Sequence, residues 1–136
     1  MFKKIIFSLF IIGIVLAAGV YYYVFVYAVN NKRQASDQVA IVIAADSLTA
    51  HFTNNESLAN SKYLNKVLQV SGVILETGVN QEEKSTVTLG TEGAFSNVFV
   101  TFKNKELLKK GDIIIVKGFC NGFLSDVVLV DGIVVK

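Results

Sequence analysis

The sequence predicts a mainly β fold: a five-stranded Greek-key barrel of the OB type with a helix ahead of it, preceded by one transmembrane helix. Three observations predict it. Residues Ile5 to Val29 form a continuous apolar run without a charge. From Lys66 onward the chain becomes a series of β-branched runs separated by polar or glycine-containing turns. Gly72 and Gly118 fall in the middle of two of those runs, where a glycine lets a strand bend and serve two sides of a small barrel.

The apolar run comes first. It is interrupted only by Ser8, and at about 1.5 Å rise per residue it covers roughly 37 Å, enough to cross a hydrocarbon core of about 30 Å with some tilt. Lys3 and Lys4 precede it, Lys32 and Arg33 follow it, and Tyr21, Tyr22, Tyr23 and Tyr27 gather at its C-terminal end, where amphipathic rings favour the headgroup interface. A cleaved signal would cut near Ala17-Ala18-Gly19, but the apolar stretch continues well past the usual signal length of about 7–15 residues. No cysteine follows the small residues, so a lipoprotein cleavage site is missing. The expected organisation is an anchor over residues 1–29, a linker over 30–38 and an OB domain over 39–136. The short basic N-terminal tail favours a single-pass protein of the inner (cytoplasmic) membrane with its domain outside the cytoplasm. The lipid bilayer is thus the first expected partner, through residues 5–29.

Charge separates the two parts. The first 36 residues hold four basic side chains and no acid; the remainder holds nine lysines, no arginine and eleven acids, a net of −2. The basic flanks suit anionic lipid, and the domain itself is mildly acidic. A single cysteine, Cys120, excludes an internal disulfide, and a single histidine, His51, excludes a multi-histidine metal site. No metal or cofactor is expected.

Val39 to Ile43 suits a short strand or an extended lead-in. Asp46 or Ser47 offers an N-cap for a helix starting near Leu48, with Leu48, Phe52, Leu58, Ala59 and Tyr63 on its apolar side and an interruption at Asn54-Asn55. The first barrel strand spans Val67 to Leu75, with Leu68, Val70 and Ile74 on one face. Thr77 to Ser85 is a polar connection, Thr86 to Leu89 the second strand, and Asn97 to Phe102 the third, with Val98, Val100 and Phe102 inward and Phe99 and Thr101 outward. Lys103 to Gly111 suits two turns of helix ending at the glycine. Asp112 to Phe119 is the fourth strand, Asn121-Gly122 a turn, and Ser125 to Val135 the fifth strand, broken at Asp131-Gly132. This order, with a short helix between the third and fourth strands, matches the OB barrel. A small β-sandwich is the structural alternative.

The run Asn65 to Val73, the segment Leu108-Lys-Lys-Gly-Asp112 and the stretch Val116 to Val130, whose most specific part is the Gly-x-Cys-x-Gly at 118–122, resemble the bacterial tRNA_anti-like OB-fold proteins. Ala45-Asp-Ser-Leu48 and Lys62-Tyr63 resemble the same group, and the resemblance covers roughly residues 30–136. It implies a lone OB domain behind a membrane or lipoprotein segment. Nucleic-acid binding is proposed for the family by fold analogy, and the resemblance carries no established activity.

Chemistry narrows the function. OB-folds that bind nucleic acid combine aromatic platforms with a basic groove. The candidates are Phe99, Lys103, Lys117 and Phe123, joined by Phe95, Lys105, Lys109 and Lys110. Against them, electrostatics supply most nonspecific nucleic-acid affinity, and a net charge of −2 without arginine lacks that drive. No phosphate loop, nucleophile elbow or metal motif is present, so no catalytic residue is expected. Membrane-anchored haem-chaperone OB domains carry a reactive His and a Tyr beyond the barrel, which this sequence lacks. The favoured expectation is a non-catalytic, membrane-anchored OB-fold module that binds an envelope protein or another ligand. Single-stranded nucleic acid is the alternative.

Overall fold

The structure is a computed structural model and describes residues 1–27 and 34–136. Val29, Lys32 and Arg33, and residues 30–33 of the expected linker, lie outside the described residues. Two units result, Met1–Arg33 and Gln34–Lys136.

In the first unit, helix α1 (Phe2–Tyr22) continues as a π-helical turn (Tyr23–Tyr27). The whole is 26 residues, long and apolar enough to cross a membrane. Lys3 and Lys4 fall within its first turn rather than before it. At its C-terminal end Tyr21 stacks on Phe25 with centroids 4.8 Å apart and Tyr23 on Tyr27 at 5.6 Å, the i,i+4 neighbours of one helix face.

The second unit opens with a 3₁₀ turn (Ala35–Asp37), within the stretch expected as linker; Ala35 is buried. There follow β1 (Ile41–Ala44), α2 (Ala45–Asn54), α3 (Glu56–Tyr63), β2 (Val67–Val79), β3 (Ser85–Gly90), β4 (Val98–Phe102), β5 (Ile113–Phe123) and β6 (Val127–Val134). The sheet order is β1-β2-β3-β4-β6-β5, with β5 also paired to β2. Strands β2 to β6 therefore close into a five-stranded OB barrel, and β1 adds a short parallel strand beside residues 68–71 of β2.

The length of β2 makes the closure possible. Its first half pairs with β5 through Val67–Val73, and its second half pairs with β3 through Val73–Val79. The register skips between Ile74 and Glu76, so the bulge lies at Leu75 and not at Gly72. Gly72 answers a different demand, close approach: a Cβ there would stand 3.1 Å from the Cβ of Ala45 and 3.2 Å from that of Leu89. The start of α2 can thus press onto the barrel.

Alternation along the strands fills the interior. Leu68, Val70, Ile74, Val87, Leu89, Val98, Val100, Phe102, Val116 and Leu129 are buried, and Leu48, Phe52, Ala59 and Tyr63 of the two helices join the same core. Full burial of such side chains contributes about 1.5–3 kcal/mol each. Asn54-Asn55 interrupts the helical stretch as its sequence indicates. Asn55 leaves helical geometry and its side chain accepts a hydrogen bond from the Leu58 amide at 3.0 Å, capping α3.

Several expectations need correction. Helix α2 begins at Ala45 with Ala44 at the N-cap, and neither Asp46 nor Ser47 caps it; Asp46 instead accepts a hydrogen bond from the Thr91 hydroxyl at 2.9 Å. Leu58 points to solvent, not to the core, because the break at Asn55 resets the helical phase. The polar connection after the first barrel strand is shorter than expected, since Thr77–Val79 pairs with Ser85–Val87. No helix forms between β4 and β5. Its adjacent leucines give no i,i+4 apolar stripe, so Leu107 is exposed while only Leu108 packs on the core. The Ser85 hydroxyl accepts from the Glu106 amide at 2.8 Å and lies 3.1 Å from its carbonyl, holding that segment extended.

Asn121-Gly122 is not a turn. β5 runs through it with a bulge, Gly122 at φ 116°, and turns at Leu124–Asp126. Stacking of Phe123 on Phe52 keeps the strand going. Likewise Asp131-Gly132 does not break the last strand. Asp131 takes φ 51° and the register against β4 skips there, while β6 continues to Val134.

Candidate binding surface

OB barrels bind along the outer face of their second and third strands, between the loops joining strands one to two and four to five. Here that face is built by β3, β4 and β6. Inward Val87, Leu89, Val98, Val100, Val127 and Leu129 force their neighbours outward. The strand register then sets Thr88, Phe99 and Val128 side by side, with Thr86, Thr101 and Val130 in the region of the next row. Phe99 is the aromatic side chain among these six, 36% exposed.

A cleft lies at each end of this face. One, of about 410 Å³, is lined by Asn80, Gln81, Glu82, Lys84, Thr101, Val130 and Asp131. Lys84 Nζ stands 2.7 Å from Glu82; this hydrogen-bonded pair holds the Glu82 carboxyl below and the Lys84 ammonium above their ordinary values. The other cleft, of about 320 Å³, is lined by Leu75, Glu76, Thr88, Glu92, Gly93, Asn97, Lys110 and Asp126. Asp126 fixes its rim by accepting a hydrogen bond from the Asn97 amide at 2.8 Å. Together the clefts hold five acids, Glu76, Glu82, Glu92, Asp126 and Asp131, against Lys84 and Lys110.

The four site residues expected from sequence do not converge. Phe99 lies on this face. Lys103 is exposed just beyond the end of β4, four residues and so about 13 Å along the chain from Phe99. Lys117 belongs to β5, beside Gln69 of β2 and Ile133 of β6, and its Nζ donates to the Ser36 carbonyl at 3.2 Å. Phe123 is half-buried, stacked on Phe52 at 5.5 Å, so its ring is core packing rather than a free platform. Phe95 is 97% exposed in the β3–β4 loop; Lys105, Lys109 and Lys110 are exposed in the β4–β5 connection.

Sequence reasoning missed the pairing of His51 with Tyr63. His51 Nδ1 lies 2.7 Å from the Tyr63 hydroxyl, and the two rings stack nearly parallel. Lys62 stands 5.2 Å over the Tyr63 ring. With Asn54, Asn55, Leu58 and Ala59 they line a cleft of about 200 Å³ between α2 and α3. The spacing of twelve residues crosses the helix break, so neither helical periodicity nor a local motif signals it.

Cys120 faces the barrel interior, buried, across from Leu129. Burial pushes its thiol above the ordinary range, opposed by a backbone hydrogen bond from Gly122. No hydrogen bond joins it to His51 among the described residues. Among those residues, too, no group of three His, Cys, Asp or Glu side chains is placed to hold a metal ion.

The tRNA_anti-like family model matches residues 1–133 of the chain. Comparison with curated proteins gives no match. Among solved structures, the chain is similar to a proposed nucleic acid-binding lipoprotein from Klebsiella pneumoniae subsp. pneumoniae: 21% identity, TM-score 0.56, covering 70% of this chain and 92% of that one. At that identity the likeness is one of fold.

Proposed function

Because the chain belongs to the tRNA_anti-like family of OB-fold proteins, we propose that it is a non-catalytic binding module whose ligand is an envelope protein, taken up on the β3–β4–β6 face. In this reading residues 1–29 anchor the chain in the inner membrane, residues 30–38 link, and residues 39–136 form the binding domain outside the cytoplasm. The supporting observation is the character of that face: one half-exposed aromatic ring among threonines and valines, with acid-rich clefts at both ends. Uncharged centres with polar rims are typical of protein-binding patches. The five carboxylates flanking the face, two at one end and three at the other, repel a phosphate backbone. Tethering adds a physical advantage, since confinement near a bilayer raises the effective concentration toward other membrane proteins.

A second reading, single-stranded nucleic acid, draws on Lys84 and Lys103, which occupy the same end of adjacent strands β3 and β4, and on the name of the Klebsiella lipoprotein. One experiment separates the two. A photo-crosslinking amino acid at position 99, in membranes containing the full chain, is expected to yield a protein adduct absent when the crosslinker sits at exposed position 58 on α3, off this face. Salt-sensitive binding of a labelled single-stranded oligonucleotide, lost on Lys84→Glu with Lys103→Glu, would replace the first reading with the second.

Cys120 supplies a topology test. Its raised pKa and burial keep the native thiol unreactive, since the thiolate is the attacking species. In intact cells an impermeant thiol reagent is therefore expected to label Lys84→Cys and to leave the unsubstituted chain unlabelled. Labelling of Lys84→Cys only after lysis would put the domain in the cytoplasm. The same proton makes stability fall at alkaline pH. The folded thiol keeps it above the ordinary thiol range while the unfolded one releases it, so the contribution is present below that range and lost as pH rises.

A further inference from the structure

The barrel has a second outer face, made by β1, β2 and β5, opposite in character to the first. Inward Ile41, Ile43, Leu68, Val70 and Val116 turn their strand neighbours outward. The register places Val42 beside Gln69 and Lys117, Ala44 beside Ser71 and Ile115, and Val73 beside Ile113. Val42 is 74% and Ile113 78% exposed, and Val73 and Ile115 are more than a third exposed. These four apolar side chains lie in consecutive rows of one face, Ile113, Val73 and Ile115 grouped at one corner and Val42 across Gln69 and Ser71 of β2; exposed apolar side chains so grouped mark an interaction surface.

We propose that this patch rests on the lipid surface, seating the domain on the bilayer through Val42, Val73, Ile113 and Ile115; the inference depends on the anchored reading above. Two observations select lipid as the occupant. The first is where the chain enters the domain. Ala35–Asp37 packs on β5 and β6, and Ser36 is held there by Lys117, the residue that ends the Val42–Gln69 row of this face. Six residues lie between Tyr27 and Gln34, a reach of roughly 25 Å at full extension. In the anchored reading, the chain coming from the bilayer therefore joins the domain at the β5 edge of this face.

The second observation is charge. Over the outward positions of β1, of β2 as far as Val73, and of β5, Lys117 is the charged side chain, with the carboxylate of Asp112 adjoining Ile113 at the margin. The five cleft acids belong to the other face. Anionic headgroups repel carboxylates and attract lysine, so the barrel has a preferred side to lay down. With β1–β2–β5 against lipid, the β3–β4–β6 face stays open to a partner.

The chain contains no tryptophan, so a single introduced one reports its own surroundings. The full chain carrying Ile113→Trp, Val42→Trp or Glu92→Trp is reconstituted into vesicles of phosphatidylcholine with an anionic phosphatidylglycerol fraction, and brominated lipid is used as the quencher. Emission at positions 113 and 42 is expected to shift to the blue and be largely quenched, with position 92 unaffected. A chain that floats with the vesicles while positions 113 and 42 stay unquenched overturns this proposal and leaves the anchor standing. Blue-shifted but unquenched emission at 113 with a crosslinkable second copy assigns the patch to self-association, and also overturns it. A chain that does not float overturns the anchor and this proposal together.

Discussion

Phe102→Ala is expected to cost about 3–5 kcal/mol of stability, the range for emptying a large aromatic from a packed interior. For a domain of this size that lowers the melting temperature by about 15 °C or more. Phe102 is fully buried at the end of β4, inside a barrel whose walls come from all five strands. Its position explains the size of the effect. Closed strands cannot slide inward independently, because each is hydrogen-bonded on both sides, so the void left by the ring collapses poorly. The helices seal the barrel with their own side chains and have none to spare. Cys120 gives the readout, since its thiol is buried in the same core and becomes reactive when the barrel opens. Labelling midpoints in denaturant, on the solubilised full chain, are expected to fall sharply for Phe102→Ala and little for Phe95→Ala, whose ring is in solvent. Equal shifts would mean that the thiol reports local opening rather than barrel unfolding.

The contrast between these two phenylalanines was legible in the sequence. Phe102 sits in a run where Val98 and Val100 share its parity, and Phe95 sits among small and polar turn residues. Wherever burial on one face dictated a period of two, strand identity and inward side chains followed directly. Leu68, Val70 and Ile74 belong to the same group. The failures share a different cause. Gly111, Asn121-Gly122 and Asp131-Gly132 carry local signals for stops and turns, and at each the local preference is compatible with more than one backbone. A positive φ at Gly122 serves a bulge within a strand as well as a hairpin turn. The decision was made by long-range contacts: Ser85 with Glu106 in the segment before Gly111, Phe123 on Phe52 beside Gly122, and the β4–β6 pairing at Asp131-Gly132.

The candidate surface was less legible for the same reason. Phe99 could be placed outward from alternation alone, but the neighbours that give it meaning come from β3 and β6 and are set by register. Phe123 and Lys117 looked available because nothing local occupies them. The structure occupies Phe123 with Phe52 and engages Lys117 with Ser36, over sequence separations no motif spans. The acids tell the converse story. Scattered through the sequence, five of the eleven are brought by the barrel to the two ends of one face, so a domain with a small net charge acquires two unlike sides.

A tight point inside that barrel, on β6, gives the second large effect. Gly132 lies on β6 opposite Phe102. A Cβ at position 132 would stand 2.8 Å from Val100 Cγ1 and 3.3 Å from both the Thr101 carbonyl oxygen and Val116 Cγ1. Two of these atoms belong to β-branched side chains, which have little rotamer freedom to give way, and the third is backbone. Gly132→Ala is expected to destabilise by about 1–3 kcal/mol through overpacking, and Gly132→Val by more. If the cause is the contact with Val100, trimming that partner should relieve it. The double variant Gly132→Ala with Val100→Ala is then expected to lose less than the two single losses combined, a coupling of about 0.5–3 kcal/mol measurable by the same thiol-labelling midpoints. Strict additivity would locate the cost in the backbone of the β4–β6 bulge. In that case the glycine is needed for the path of the strand beside Asp131 and not for the space inside the barrel.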